Sequence, residues 1–257
     1  SLGSRGLGDV YKRQVFDQVD RFAGYGFNKS HAAAYALVAY QTAFIKANYP
    51  VAFYAASMSL DYENTDKLQI FVQDALAHDI KVSAPDINRS DVMFETGEQE
   101  IIYALSAIKN VGRQSMIDLV AERTQNGPYK DIFDFARRVG AVGINSKLLE
   151  NLISSGAFDC LETDRARLFE SVKMLLSEAS IAQNERKEGQ SNLFGEEEIS
   201  ESRTLQEVAP WSPVERLTRE FDAIGFYLSG HPLDDYRTVL RRMNVLGFED
   251  LAKSVEN

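Results

Sequence analysis

The stretch from Phe22 to Pro50, FAGYGFNKSHAAAYALVAYQTAFIKANYP, constrains the fold more than any other part of the chain. Alanine is the best helix former and proline cannot continue a helical ladder. The pattern therefore predicts a loop through Asn28, Lys29, Ser30 and His31 that feeds a long helix ending at Pro50. Between Ala32 and Tyr49 the only charge is Lys46, against Tyr35, Leu37, Val38, Tyr40, Phe44 and Ile45, so this helix is expected to be largely buried. Its start carries a cation, a hydroxyl and an imidazole where a helix N-terminus offers unpaired N–H groups. That combination suits a phosphate. The same residues also suit plain capping, with Asn28 or Ser30 closing the helix start.

After Pro50 the helical pattern continues through VAFYAASMSL and NTDKLQIFVQDALAHDI. Asn64 is the expected N-cap of the second, with Leu68, Phe71, Val72, Ala75 and Leu76 on one face. Residues 80–88 read as extended, with Pro85 at an edge, and VMFETGEQEIIYAL reads as a hairpin turning at Thr96-Gly97-Glu98. The fold class is mainly α with a small β-hairpin or sheet, an α+β arrangement.

Texture changes at Ile101. The run ALSAIKNVGRQSMIDLVAER sets Ile108 to Gly112 between two short helices as a tight turn with apolar anchors on each side, which resembles a helix-hairpin-helix module. In such a module a glycine-containing hairpin lets backbone N–H groups approach a DNA phosphate, and nearby Lys or Arg adds charge without reading sequence. The candidates are Lys109, Asn110, Val111, Gly112 and Arg113. A weaker second copy lies in KDIFDFARRVGAVGINSKLLENLISSGAFD, with Asn145 and Lys147 at the start of its second helix and Gly156 at its end. Two ordinary helical hairpins with glycine caps would satisfy the same pattern.

The formal net charge of -10 argues against bulk attraction to nucleic acid, so any DNA contact must be a local patch. Such a patch runs from Lys109 to Lys147 and includes Arg113, Arg123, Lys130, Arg137 and Arg138. Cys160 stands alone, which excludes an intrachain disulfide and multi-cysteine zinc, and a reducing, cytoplasmic setting fits. No apolar run is long enough to span a bilayer, and no membrane partner is expected.

Arg165 to about Ala182 reads as a helix, followed by a polar, charged linker. Within it, Gln190-Ser191-Asn192-Leu193-Phe194 places two apolar side chains where no core of their own receives them. They call for a partner surface. A helix around PVERLTREFDAIGFYL, the turn Ser229 to Pro232 and LDDYRTVLRRM complete the pattern, and the C-terminus reads as cut. Residues 1–14 are glycine-rich and basic and read as a non-native extension.

In this order, FAGYGFNKSHAAAYALVAYQT, PDIN, AIKNVG, SGAFD, QSNLF and GFYLSGHPLDDY resemble the bacterial DNA polymerase III alpha-subunit family, the family C replicative polymerases. The resemblance covers Val15 to about Met243. It implies distal fingers over 15–100, tandem helix-hairpin-helix over 101–170, a connector with a clamp-binding motif over 171–204, and a helical lead-in to an OB domain over 205–257. It implies that Asn28, Lys29, Ser30 and His31 line the nucleotide side of the fingers, with Lys29 facing the triphosphate. Gln190, Leu193 and Phe194 would be the anchor and plug of the clamp motif.

The implied partners are primer-template DNA, a deoxynucleotide triphosphate (dNTP), the bacterial sliding clamp (beta) and other replicative holoenzyme subunits. The implied cofactor is Mg²⁺, held by palm aspartates upstream. No such aspartate cluster occurs in this sequence, so no catalytic or metal-binding residue is assigned and these residues alone are expected to be inactive. The rival readings are a helix-hairpin-helix repair enzyme using Lys130 and Asp131, and a non-enzymatic adaptor joining DNA to a clamp.

Overall fold

The computed structural model describes residues 4–25, 29–140, 143–188, 204–243 and 245. It is mainly helical with one small sheet, and it divides into two compact units at Phe53/Tyr54.

The first unit holds α1 (Ser4–Tyr25), α2 (Lys29–Asn48) and the first turn of α3 (Pro50–Leu60). Helix α1 crosses residue 14 without a break. Pro50 acts as expected: α2 stops at Asn48, and α3 starts on the proline, whose fixed φ suits a first helical position. The expected burial of α2 is overturned, because none of its residues is buried and Tyr35 and Tyr40 are 64% and 67% exposed. Its apolar side chains surround the whole cylinder, so only neighbours on several sides could bury them. Composition makes such a helix fit for burial, but packing partners supply the burial.

The second unit runs from Tyr54 through α4 (Thr65–Ala77), a three-stranded sheet and the helices that follow it. Asn64 caps α4 by accepting from the Lys67 N–H at 3.1 Å. Leu68, Val72 and Ala75 face the core, while Leu76 at the helix end is exposed. Strands β2 (Glu95–Thr96) and β3 (Glu100–Ile102) form the expected hairpin, closed by the Gly97 N–H on the Glu100 carbonyl at 2.8 Å. Strand β1 (Lys81–Ser83) adds in parallel to the far side of β3, giving the order β1-β3-β2.

The texture change near residue 100 is not a break in packing. The Ile87 N–H donates to the Ala157 carbonyl at 2.7 Å. Asn88 clasps the backbone of Tyr129, donating to its carbonyl at 2.9 Å and accepting from its N–H at 2.8 Å. Thus PDIN ties the sheet to the helices beyond it.

Those helices are α5 (Arg113–Asn126), α6 (Ile132–Val139), α7 (Ser146–Ser155), α8 (Arg165–Glu170), α9 (Val172–Glu188), α10 (Pro213–Ile224) and α11 (Arg237–Arg242). Tyr129, Phe135 and Phe158 stack edge to face with centroids 5.0 and 4.7 Å apart, and α9 packs along α6 while α10 packs along α7. The helix expected from Arg165 breaks at Ser171 and runs on to Glu188, past the expected linker start. Leu205 is buried and the Gln206 N–H donates to Ser171 Oγ at 3.0 Å, so the chain re-enters the same core beyond residue 203.

Behind α7 lies a buried ionic cluster. Arg165, 5% exposed, binds Asp159 through two bonds of 2.8 and 2.7 Å, donates to the Ser154 carbonyl at 3.0 Å and meets Glu220 at 3.3 Å. Glu220, 1% exposed, accepts from the Ser229 N–H and hydroxyl at 2.8 Å each. SGAFD and the Ser229-Gly230-His231 turn therefore meet across one buried ion pair.

Candidate nucleic-acid interface

The first hairpin is preceded by one 3-10 turn, Leu105–Ala107, rather than a full helix. Ile108 and Val111 are buried, at 2% and 1% exposure, and pin the loop from below. Between them the backbone takes φ of 62° at Asn110, and φ of 58° at Gly112 follows. Two left-handed residues in three turn the chain sharply, and glycine adopts that region without a steric penalty. Gly112 then stands as the N-cap of α5 and offers no side-chain cap. By contrast α4, α6, α7, α8 and α10 are capped by Asn64, Asp131, Asn145, Asp164 and Ser212. The start of α5 is thus an exposed end with uncapped N–H groups, beside Arg113 and the half-buried Lys109.

Val111 serves this surface as an anchor, since its side chain is core. Two acids between α3 and α4 are engaged locally: Asp61 pairs with Lys67 at 2.7 Å, and Glu63 accepts from Tyr62 at 2.8 Å.

The second hairpin joins α6 to α7, with Gly143 at φ 71° and Gly156 closing α7 as a left-handed cap. Asn145 Oδ1 accepts from the Leu148 N–H at 2.9 Å, so this oxygen caps the protein's own helix. Lys147 is exposed in the first turn of α7.

The basic patch read from the sequence divides in two. Arg123 donates to the carbonyls of Ile87 and Ser90 at 2.7 and 2.8 Å. Arg138 forks onto Glu122 at 2.8 and 3.0 Å, reaches Asp134 and the Gly127 carbonyl, and lies 4.4 Å over the Tyr129 ring. These two hold loops in place. The side chains of Lys109, Arg113, Lys130, Arg137 and Lys147 have no such partner among the described residues, and a tally of charges could not separate the two groups. Burial raises the Glu122 pKa, but hydrogen bonds from Arg138, Tyr129 and Asn126 outweigh it and hold the carboxyl below the usual range.

Of the tetrad, Asn28 lies outside the described residues. Lys29, Ser30 and His31 form the first turn of α2, so Ser30 sits inside the helix rather than at its cap, and the His31 ring lies 4.4 Å from Tyr35. Gln190, Leu193 and Phe194 also lie outside the described residues. Asp131, needed by the repair reading, spends its carboxylate capping α6 through the N–H groups of Phe133 and Asp134 at 2.8 and 2.7 Å. Among the described residues no cluster of three His, Cys, Asp or Glu side chains could hold a metal ion, and no helix is long and apolar enough to cross a membrane.

The family described as the helix-hairpin-helix motif matches residues 79–168, which takes in the sheet and both hairpins. The chain is 49% identical over 228 residues to the DNA polymerase III subunit alpha of Caulobacter vibrioides, covering 89% of this chain and 20% of that protein. It is 43% identical over 244 residues to that of Borreliella burgdorferi, covering 93% and 21%. It is 40% identical over 251 residues to that of Thermus aquaticus, covering 98% and 20%. The chain spans about one fifth of the length of these relatives. With this identity along nearly all its length, the chain belongs to the DNA polymerase III alpha-subunit family.

Proposed function

We propose that this chain is the duplex-holding part of a replicative DNA polymerase, and that its two hairpins grip phosphates of the DNA backbone without reading bases. The observation that carries this reading is the first hairpin. Its left-handed loop presents the uncapped start of α5 beside Lys109 and Arg113. Such an end attracts an oxyanion through N–H groups and dipole together. Lys147 at the start of α7 supplies a second contact.

The whole polymerase would add deoxynucleotides to a primer 3′ end, with Asn28, Lys29, Ser30 and His31 on the nucleotide side. Gln190, Leu193 and Phe194 would bind a sliding clamp within the holoenzyme. Mg²⁺ would act elsewhere in the whole polymerase.

The test has two arms. Fluorescence anisotropy should give equal affinities for two duplexes of unrelated sequence, because backbone contacts carry no sequence information. A large preference for one sequence would refute backbone gripping. Calorimetry against a bacterial sliding clamp should show binding that Leu193→Ala with Phe194→Ala abolishes while duplex affinity stays unchanged. Loss of both together would point to misfolding and against a separate clamp motif.

A further inference from the structure

We infer that α10 is part of the DNA-binding platform, and that Gly225 is a positioning residue for Lys109. The inference rests on the duplex-gripping reading above. Helix α10 lies wholly beyond the residues that match the helix-hairpin-helix family, yet both hairpins are registered on it.

The Lys109 N–H, at the tip of the first hairpin, donates to the Ala223 carbonyl at 2.8 Å. Two residues on, Gly225 closes α10 with φ of 103°, and the side chain of Lys109 lies across it. A Cβ at position 225 would stand 2.9 Å from both Cε and Nζ of Lys109 and would strike Thr65 Cγ2. The bare glycine is therefore the floor on which the lysine rests. The negative end of the α10 dipole attracts the ammonium. No carboxylate pairs with it among the described residues, so it is oriented without being neutralised. The other face of α10 packs along α7 and is locked there by Arg165 and Glu220, which relates the α10 floor to the helix carrying Lys147. A lysine held in this way meets a phosphate with less loss of side-chain freedom than a free one.

The experiment is a salt titration of duplex affinity by anisotropy, using Thr65→Ser as reference. Serine removes the methyl that a new side chain would strike first, so that Lys109 is the neighbouring side chain that must move, alongside the backbone strain that alanine meets at φ of 103°. Each phosphate contact contributes about 0.9 to the slope of log affinity against log salt. Thr65→Ser with Gly225→Ala should lose about that one contact, as Lys109→Gln does. Adding Lys109→Gln to that pair should change nothing further, because one contact cannot be lost twice. Lys147→Gln should still remove its own increment in every background.

Additive losses from Gly225→Ala and Lys109→Gln, or a slope equal to that of Thr65→Ser, would overturn the inference. Loss of the cooperative thermal transition in the Thr65→Ser/Gly225→Ala variant would also overturn it, by making Gly225 a folding residue. If Lys109→Gln alone left the slope unchanged, the hairpin reading beneath it would fail instead.

Discussion

Replacing Glu220 with alanine removes the carboxylate that joins α10 to Arg165 at the start of α8, the residue that also holds the Ser154 carbonyl of α7. Three hydrogen bonds are lost: two from Ser229 at 2.8 Å and one from Arg165 at 3.3 Å. Breaking a buried ion pair by removing one partner costs about 3–5 kcal/mol, because the other charge stays buried. Here Arg165 keeps its two bonds to Asp159, whose side chain is 41% exposed, so the lower end of that range applies. For a unit of this size, a loss of about 3 kcal/mol lowers Tm by roughly 6–12 °C. Thermal and urea unfolding of the wild type, Glu220→Ala, Arg165→Met and the double variant measure it. The double variant should recover part of the loss of either single one, since a pair removed together leaves no stranded charge. A single-variant cost below about 1 kcal/mol, or a double-variant cost equal to the sum of the two, would refute this account of the cluster.

Further expectations follow from the same geometry. The Glu122 carboxyl is held below its usual pKa, so its contribution to stability is present above the unfolded value of about 4.3 and is lost as pH falls through the folded value. Glu122→Gln should therefore lower Tm at neutral pH, with the gap to the wild type closing under acid; a gap that widens would contradict the assignment. Asn145→Ala should cost about 1 kcal/mol through loss of the α7 cap, visible in unfolding. Its duplex salt slope should stay unchanged while Lys147→Gln lowers it, and the reverse pattern would make Asn145 the phosphate contact.

Much of the helical pattern was legible because its signals are local. Asn64, Gly156 and Pro50 act where capping and proline chemistry place them, and the hairpin turn at Gly97 follows its turn residues. What escaped was set by residues distant in sequence. Asn88 holds Tyr129 from 41 residues away, and Arg165 meets Glu220 from 55 away, and neither leaves a periodic trace. A strand as short as Lys81–Ser83 carries no alternation that could announce a parallel partner. The motifs that carried the family resemblance, PDIN, SGAFD and GFYLSGH, turn out to contain many of these staples. Their likeness to the family reports a shared framework. At the hairpins, the sequence exposed the loop and its charges. It did not distinguish Arg123 and Arg138, consumed by carbonyls and carboxylates, from Lys109 and Lys147. Nor did it show Val111 as a core anchor or α2 as exposed, since burial depends on what lies alongside.

On the proposed function, two hairpins hold duplex DNA by its phosphates. The most direct test is the salt dependence of duplex affinity for the wild type, Lys109→Gln, Lys147→Gln and the two combined. The account predicts a negative slope that shrinks by about 0.9 with each lysine removed, and by about twice that with both. Slopes that do not change with either substitution would contradict it.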